Sequence, residues 1–247
     1  MPTRPDIVDL SDVNFPVLDF DRPTSQQIFD ALKVAILRTT LPPGCLISEN
    51  EIGLRFGASR TPVREAFTQL RNDGLIVTRP SRGNFVTKLS EARIREAQFL
   101  REALELANVA QLCRKGIPDA ALADLQSALT AQAHAIQAND DLAFQDQDDQ
   151  FHATLARATG FARAETLLIR EKMALDRLRV LSLSDGAHKQ RLLNEHHAIL
   201  KAVVAGGQGA AKKMMRQHLR SIFDALSNLI AANRDYFDDA STGQSEL

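Results

Sequence analysis

The chain of 247 residues has no tryptophan, one tyrosine and two cysteines. So few large polar aromatics disfavour a stacking pocket for an aromatic ligand, although Phe151 offers one ring. Cys45 and Cys113 stand far apart and form no C-x-x-C pair, which excludes a disulfide framework and points to reduced thiols in the cytoplasm. No apolar run approaches the ~20 residues of a membrane span. The first twenty residues carry prolines and aspartates but no apolar core of a signal peptide. Charge excess is lacking too: 30 Lys and Arg against 31 Asp and Glu give a net charge of -1, so the protein is not basic throughout. There is no H-E-x-x-H, which removes the usual zinc-protease reading. What is present is a hydrophobic content of 44%, ample for a core, in a length that suits one or two domains.

The most informative stretch is Ser59-Arg60-Thr61-Pro62-Val63-Arg64-Glu65-Ala66. It places two arginines, two hydroxyls and a proline at the start of an expected helix. The unpaired N–H groups of a first helical turn favour phosphate, and Arg60 and Arg64 add bidentate donors suited to phosphate or guanine edges. An ordinary capped surface helix is an equal reading of these eight residues alone. Before them, Ser48 to Phe56 reads as a short helix with a Ser48/Glu51 capping box, ended by Gly57-Ala58, with Ile52 and Phe56 on one face. Two short helices around a glycine turn make a helix-turn-helix. Leu75–Thr78 and Asn84–Thr87 then read as strands around Arg79-Pro80-Ser81-Arg82-Gly83, a hairpin with a basic tip. From Asn50 to Lys88 the basic residues are Arg55, Arg60, Arg64, Arg71, Arg79, Arg82 and Lys88, against Glu51, Glu65 and Asp73. A local basic patch of this kind is the footprint that matters for nucleic acid.

This combination resembles the DNA-binding domain of the GntR superfamily of bacterial transcription regulators. The residues that carry the resemblance run from about Ser25 to Val86 and include Leu41-Pro42-Pro43-Gly44, Leu46, Glu49, the 57–66 motif, Leu70, Gly74-Leu75 and Arg82-Gly83. Gly53 stands where alanine is common and Ala58 where valine is common; Gly53 should cost its helix ~1 kcal/mol. The resemblance implies a double-stranded, near-palindromic operator as partner. Ser59, Arg60, Thr61, Pro62 and Arg64 would face it, Arg55 would support the backbone, and Arg82 with Gly83 would reach the minor groove or its phosphates.

Beyond the hairpin the pattern is helical: roughly 90–115, 118–138, 140–158, 161–183, 187–205 and 208–236, broken by Gly116-Ile117-Pro118, Asn139-Asp140, Gly160, Ser184-Asp185-Gly186 and Gly206-Gly207. Apolar residues recur at helical spacing, as in Leu100, Leu104 and Ala107, or Ile222, Leu226 and Leu229. The spacings do not repeat between segments, so the expectation is a bundle, not a solenoid. Asp148 and His152 are one turn apart on one helix, with His196 and His218 on later helices. One carboxylate and three imidazoles can close around a divalent ion such as Zn, Ni or Mn. Spacing alone equally allows four unrelated side chains, and His134, His188 and His197 read as surface residues.

The second half is similar to the FCD ligand-binding domain of FadR-type GntR regulators, with a six-helix count like the VanR subgroup. The residues concerned are Arg101–Glu105, Asp148–His152 with Leu155 and Ala158, Glu195–Leu200, Ala205-Gly206 and Met215–Leu219. The resemblance implies metal ligands at Asp148, His152, His196 and His218, with Asp149 off the pattern. It also implies a small carboxylate effector held at the ion, for which Arg101 and then Arg177 are the candidate clamps, against the simpler reading of Arg101 as an ion pair to Glu105. The expected chain is thus mainly α: a flexible arm (1–22), a winged helix-turn-helix (23–88), an antiparallel all-α bundle of about six helices (89–236) and a disordered tail (237–247). The expected function is a homodimeric, effector-controlled transcriptional repressor without catalytic activity or membrane association. A regulator with a metal-free or metal-sensing bundle, or a metal-dependent enzyme fused to a DNA-binding domain, are the alternatives.

Overall fold

A computed structural model describes residue 10 and residues 13–19, 21–182 and 186–238. They form two compact units. One holds the described residues up to Glu91 together with those from Asn233 onward; the other is Ala92–Ala232.

The first unit begins with helix α1 (Thr24–Leu37), whose inner face is Ile28, Phe29, Leu32, Ala35 and Ile36. Helix α2 (Glu49–Phe56) starts where the Ser48 hydroxyl accepts from the Glu51 N–H at 3.4 Å, and stops at Gly57, whose φ of 62° is left-handed. Helix α3 (Arg60–Asn72) buries Val63, Ala66, Phe67 and Leu70, an i, i+3, i+4, i+7 stripe, against the α1 side of the core. Strands β2 (Ile76–Arg79) and β3 (Gly83–Val86) pair antiparallel, with Thr78 opposite Asn84 and Arg79 opposite Gly83. A third strand, β1 (Leu46–Ile47), pairs with the other edge of β3 and was not expected from the sequence.

Two terminal expectations are corrected. The segment read as a loose arm is packed where it is described: Leu10, Val13 and Leu18 are buried in the core of this unit, and the Phe15 and Phe56 rings lie 4.9 Å apart. The final helix ends at Ala232, before a 3-10 turn at Arg234–Tyr236. Phe237 then bridges Leu89: the Leu89 N–H donates to the Tyr236 carbonyl at 2.8 Å and the Asp238 N–H to the Leu89 carbonyl at 2.9 Å. The boundary placed at 237 therefore cuts through ordered chain, while residues 239–247 lie outside the described residues.

The second unit contains α4 (Glu91–Lys115), α5 (Asp119–Ala138), α6 (Asp141–Ala158), α7 (Ala162–Ser182), α8 (Gly186–Val204) and α9 (Gln208–Ala232). The break expected at Ser184-Asp185 lies outside the described residues. Asn139, at φ 52°, ends α5, and the Asp140 carboxylate caps α6 by accepting from the Ala143 N–H at 2.9 Å. Val109, Leu112, Leu129, Phe151, Leu155, Ile199, Met215 and Leu219 fill one apolar core. Helix α4 is turned away from its expected face. Leu100 and Ala107 are exposed, whereas Gln98, Arg101, Glu105 and Asn108 are buried. A helix that points a polar stripe into its bundle needs partners for those groups there, and here Gln98 Oε1 and Asn108 Nδ2 are left without one among the described residues.

Candidate functional site

In the first unit, the N-terminal end of α3 projects Ser59, Arg60, Thr61 and Arg64 into solvent, with Pro62 half-buried at the first turn. The Ser59 side chain makes no cap hydrogen bond, so the first-turn N–H groups face outward without that internal acceptor. At the hairpin tip Arg82 and Gly83 are exposed. Gly83 has a φ of 107°, which favours glycine, and a Cβ there would meet the Leu46 methyl at 2.8 Å, so that side chain would have to shift. Arg79 lies over the Phe85 ring, 4.9 Å from its centroid. Arg55 is exposed, yet its Nη2 donates to the Val13 carbonyl at 3.1 Å, which ties it to the N-terminal segment.

In the second unit, helices α6, α8 and α9 bring Asp148, His152, His196 and His218 together, all buried, with one candidate ligand atom from each inside a 4.8 Å sphere of mutual distance. The Nε2 atoms of His152 and His196 each lie 3.2 Å from Nε2 of His218, and Asp148 Oδ1 lies 3.4 Å from His196 Nε2. The other nitrogen of each ring is committed elsewhere. His152 Nδ1 faces Glu105 Oε2 at 2.5 Å, His196 Nδ1 faces Gln132 Oε1 at 2.9 Å, and His218 Nδ1 faces Glu195 Oε2 at 2.9 Å. Those oxygens accept, which favours the tautomer with the proton on each Nδ1; in that tautomer each Nε2 presents a lone pair to the others. Three lone pairs and a carboxylate oxygen converging in a buried space repel one another unless a cation sits among them. This donor set, with every imidazole oriented from behind, fits a divalent metal.

The electrostatics agree. Burial, followed by the neighbouring His218, pushes His196 well below the usual imidazole range, and burial lowers His152 against the pull of Glu105, so both rings are held neutral. Burial opposes ionisation of Asp148, but the Arg179 guanidinium beside it outweighs that and keeps the carboxyl well below the usual range. Arg179, on α7, pairs with Asp148 Oδ2 and, at 2.7 Å, with Asp149 Oδ1. Asp149 also pairs with Lys172, and it lies outside the four-residue group.

Beside the cluster is a small cavity of about 40 Å³, whose lining includes Gln98, Arg101, Asp148, Arg179, His188 and His218. Arg101 lines this cavity, and its Nε is bound to Glu105 Oε1 at 2.7 Å, the simpler of the two readings of that residue. Arg177 is buried but does not line the cavity. His188, read as a surface residue, does line it; His134 and His197 are exposed. Phe151 is spent on packing, stacked on His196 at 4.5 Å. Sequence reasoning missed Gln132, Glu195 and Arg179. Glu195 adjoins His196 in sequence but lies on another face of α8, and from there it reaches His218 on α9.

Residues 24–86 match the bacterial regulatory proteins of the gntR family, and residues 96–221 match the FCD domain. The chain belongs to the GntR family and carries an FCD domain. It is 34% identical over 218 residues to the HTH-type transcriptional repressor RspR of Escherichia coli strain K12, covering 88% of this chain and 95% of that one. A GntR regulator from Rhodococcus sp. RHA1 superposes with a TM-score of 0.67 at 28% identity, over 85% of this chain and 99% of the other. E. coli McbR/YncC shares the fold at a TM-score of 0.72 and 18% identity, over 83% and 97% of the two chains. GntR family members of this kind are transcriptional regulators, not enzymes. Among the described residues no helix is long and apolar enough to cross a membrane.

Proposed function

We propose that this GntR protein is a homodimeric transcriptional repressor that binds a near-palindromic operator through α3 and the β2–β3 wing, and that a small organic acid held at a metal in the FCD bundle controls it. The observation that carries the metal reading is the convergence of three Nε2 lone pairs, each fixed by an acceptor behind its ring. Asp148, His152, His196 and His218 would hold the ion, with Zn, Ni or Mn as the candidates for a borderline nitrogen-rich set. When bound, the ion supplies a positive centre for a carboxylate oxygen. The chain's own groups then complete the pocket. Arg101 and Arg179, each already paired with carboxylates, place guanidinium groups along the cavity, and Gln98, whose Nε2 is used on the Leu219 carbonyl at 2.6 Å, keeps a buried Oε1 without a protein partner. An acceptor left over in such a place suits an acid that also carries a hydroxyl. The operator would be met by Arg60, Arg64 and Arg82, with Ser59 and Thr61 on phosphates. Pro62 would set the first turn and Gly83 the tip; Arg177 has no cavity position to support a clamp.

The test is thermal shift on protein stripped with chelator and then reloaded, with Asp148→Ala alongside. Each ion that binds the native state raises its stability, and an acid that needs the ion raises it further in wild type alone. No metal response in wild type would remove the metal reading. A metal response with silence across a broad panel of acids would favour the second reading, in which the ion itself is the signal; the small volume of the cavity is the observation on its side.

A further inference from the structure

The wing of a DNA-binding domain works only if its tip is held at the right place beside the recognition helix. Here the inner half of the hairpin is fixed by buried Ile76, Phe85 and Val86. The outer half, from Val77 to Gly83, is exposed on β2 and at the tip, so the apolar core does not hold it. A polar chain runs along that outer half instead. The Thr78 hydroxyl donates across the ladder to Asn84 Oδ1 at 2.6 Å. Arg71, in the last turn of α3, sends Nη1 to the same Asn84 oxygen at 3.4 Å and to Thr78 Oγ1 at 3.5 Å, and Nη2 to Thr68 Oγ1 at 2.8 Å. The Thr68 hydroxyl in turn donates to the Arg64 carbonyl at 2.8 Å.

We propose that Arg71, through Thr68 on one side and Thr78 and Asn84 on the other, is a positioning residue that fixes the wing against α3 and so aims Arg82 at the DNA. The proposal rests on the DNA-binding reading above. The chemistry suits a brace: a guanidinium has donors only, spread in a planar fork, and each group it meets is an oxygen with a free lone pair. A lysine at this position offers one ammonium and cannot span both elements. The other basic side chain on the hairpin, Arg79, covers the Phe85 ring, which leaves the tip residue Arg82 as the group that gains from correct aim.

The experiment uses the full-length protein and an operator recovered by selection from random duplex DNA. Affinity and its salt dependence are measured for wild type, Arg60→Ala, Arg82→Ala, Arg71→Met, Arg71→Lys, Asn84→Ala and the Arg71→Met/Arg82→Ala double variant, with hydroxyl-radical footprints. Arg71→Met is expected to lose roughly tenfold in affinity, a loss Arg71→Lys does not restore and the uncharged change Asn84→Ala shares. In the Arg71→Met background Arg82→Ala should add less than about twofold, because the wing is already misplaced, and the footprint should fade at the wing while persisting under α3. The proposal is overturned if Arg82→Ala costs the same in both backgrounds. It is also overturned if Asn84→Ala is silent while Arg71→Met lowers the salt slope by about one phosphate, since Arg71 is then a direct contact. Fading of both footprints together with a lowered melting temperature would make the network merely structural. Full operator affinity in Arg60→Ala would instead sink the DNA-binding reading itself.

Discussion

Nδ1 of His152 lies 2.5 Å from Oε2 of Glu105, with both side chains almost completely buried. Glu105 also receives Arg101 Nε at 2.7 Å, so one carboxylate orients a candidate metal ligand and neutralises a cavity arginine at once. Glu105→Gln keeps an acceptor for the His152 proton but removes the charge that makes the imidazole a stronger donor to an ion. We expect the variant to fold and to bind Zn or Ni about tenfold more weakly, and Glu105→Ala about a hundredfold more weakly, by competition with a chromogenic chelator. Equal affinity in all three proteins would show that the carboxylate has no bearing on the ligand.

The same carboxylate should shape acid stability. Burial works against its ionisation, but His152 and Arg101 overcome that and hold Glu105 at about 2, below the ordinary 4.5. Because the folded value is the lower one, the stabilisation is complete above about pH 4.5 and disappears as pH falls towards 2. Its full size is about 3 kcal/mol, of which about 2 kcal/mol is lost between pH 6 and pH 3. Urea unfolding of chelator-treated protein should therefore show wild type losing more stability over that interval than Glu105→Gln. Parallel losses would mean that other carboxylates, Asp148 among them, account for the acid limb.

What the sequence made legible follows from how local each cause is. The Ser48 cap, the Gly57 stop and the four-residue stripe from Val63 to Leu70 are local, and α2 and α3 lie where those signals put them. Between the start of α4 and the end of α9, which no such break marks, the bundle helices begin and end near Gly116, Asn139-Asp140, Gly160, Gly186 and Gly206-Gly207 for the same reason. Strand β1 is two residues long and exists only because β3 arrives beside it, so no periodicity announces it. On α4 the apolar spacing of Leu100, Leu104 and Ala107 misled, because the inner face is given over to Gln98, Arg101 and Glu105. Asp148 and His152 share a helix face and can be read as a pair. Gln132 and Arg179 act only through partners on other helices, and nothing in their own neighbourhoods marks them.

The last residues of the described chain belong to the first unit and should stabilise it, although they follow the final helix of the second. Phe237 is buried, and the backbone around it pairs on both sides of Leu89, just after the wing strand that ends at Val86. Lys88 Nζ reaches the Phe237 carbonyl as well, at 3.5 Å. Removing a buried phenylalanine ring costs about 3 kcal/mol or more. Phe237→Ala should therefore speed amide exchange at Leu89 and Val86 in hydrogen-exchange mass spectrometry, and a chain stopped after Ala232 should do so more strongly, while peptides from α5 and α6 keep wild-type protection. Unchanged exchange at Leu89 in both variants would show that the contact holds nothing in place.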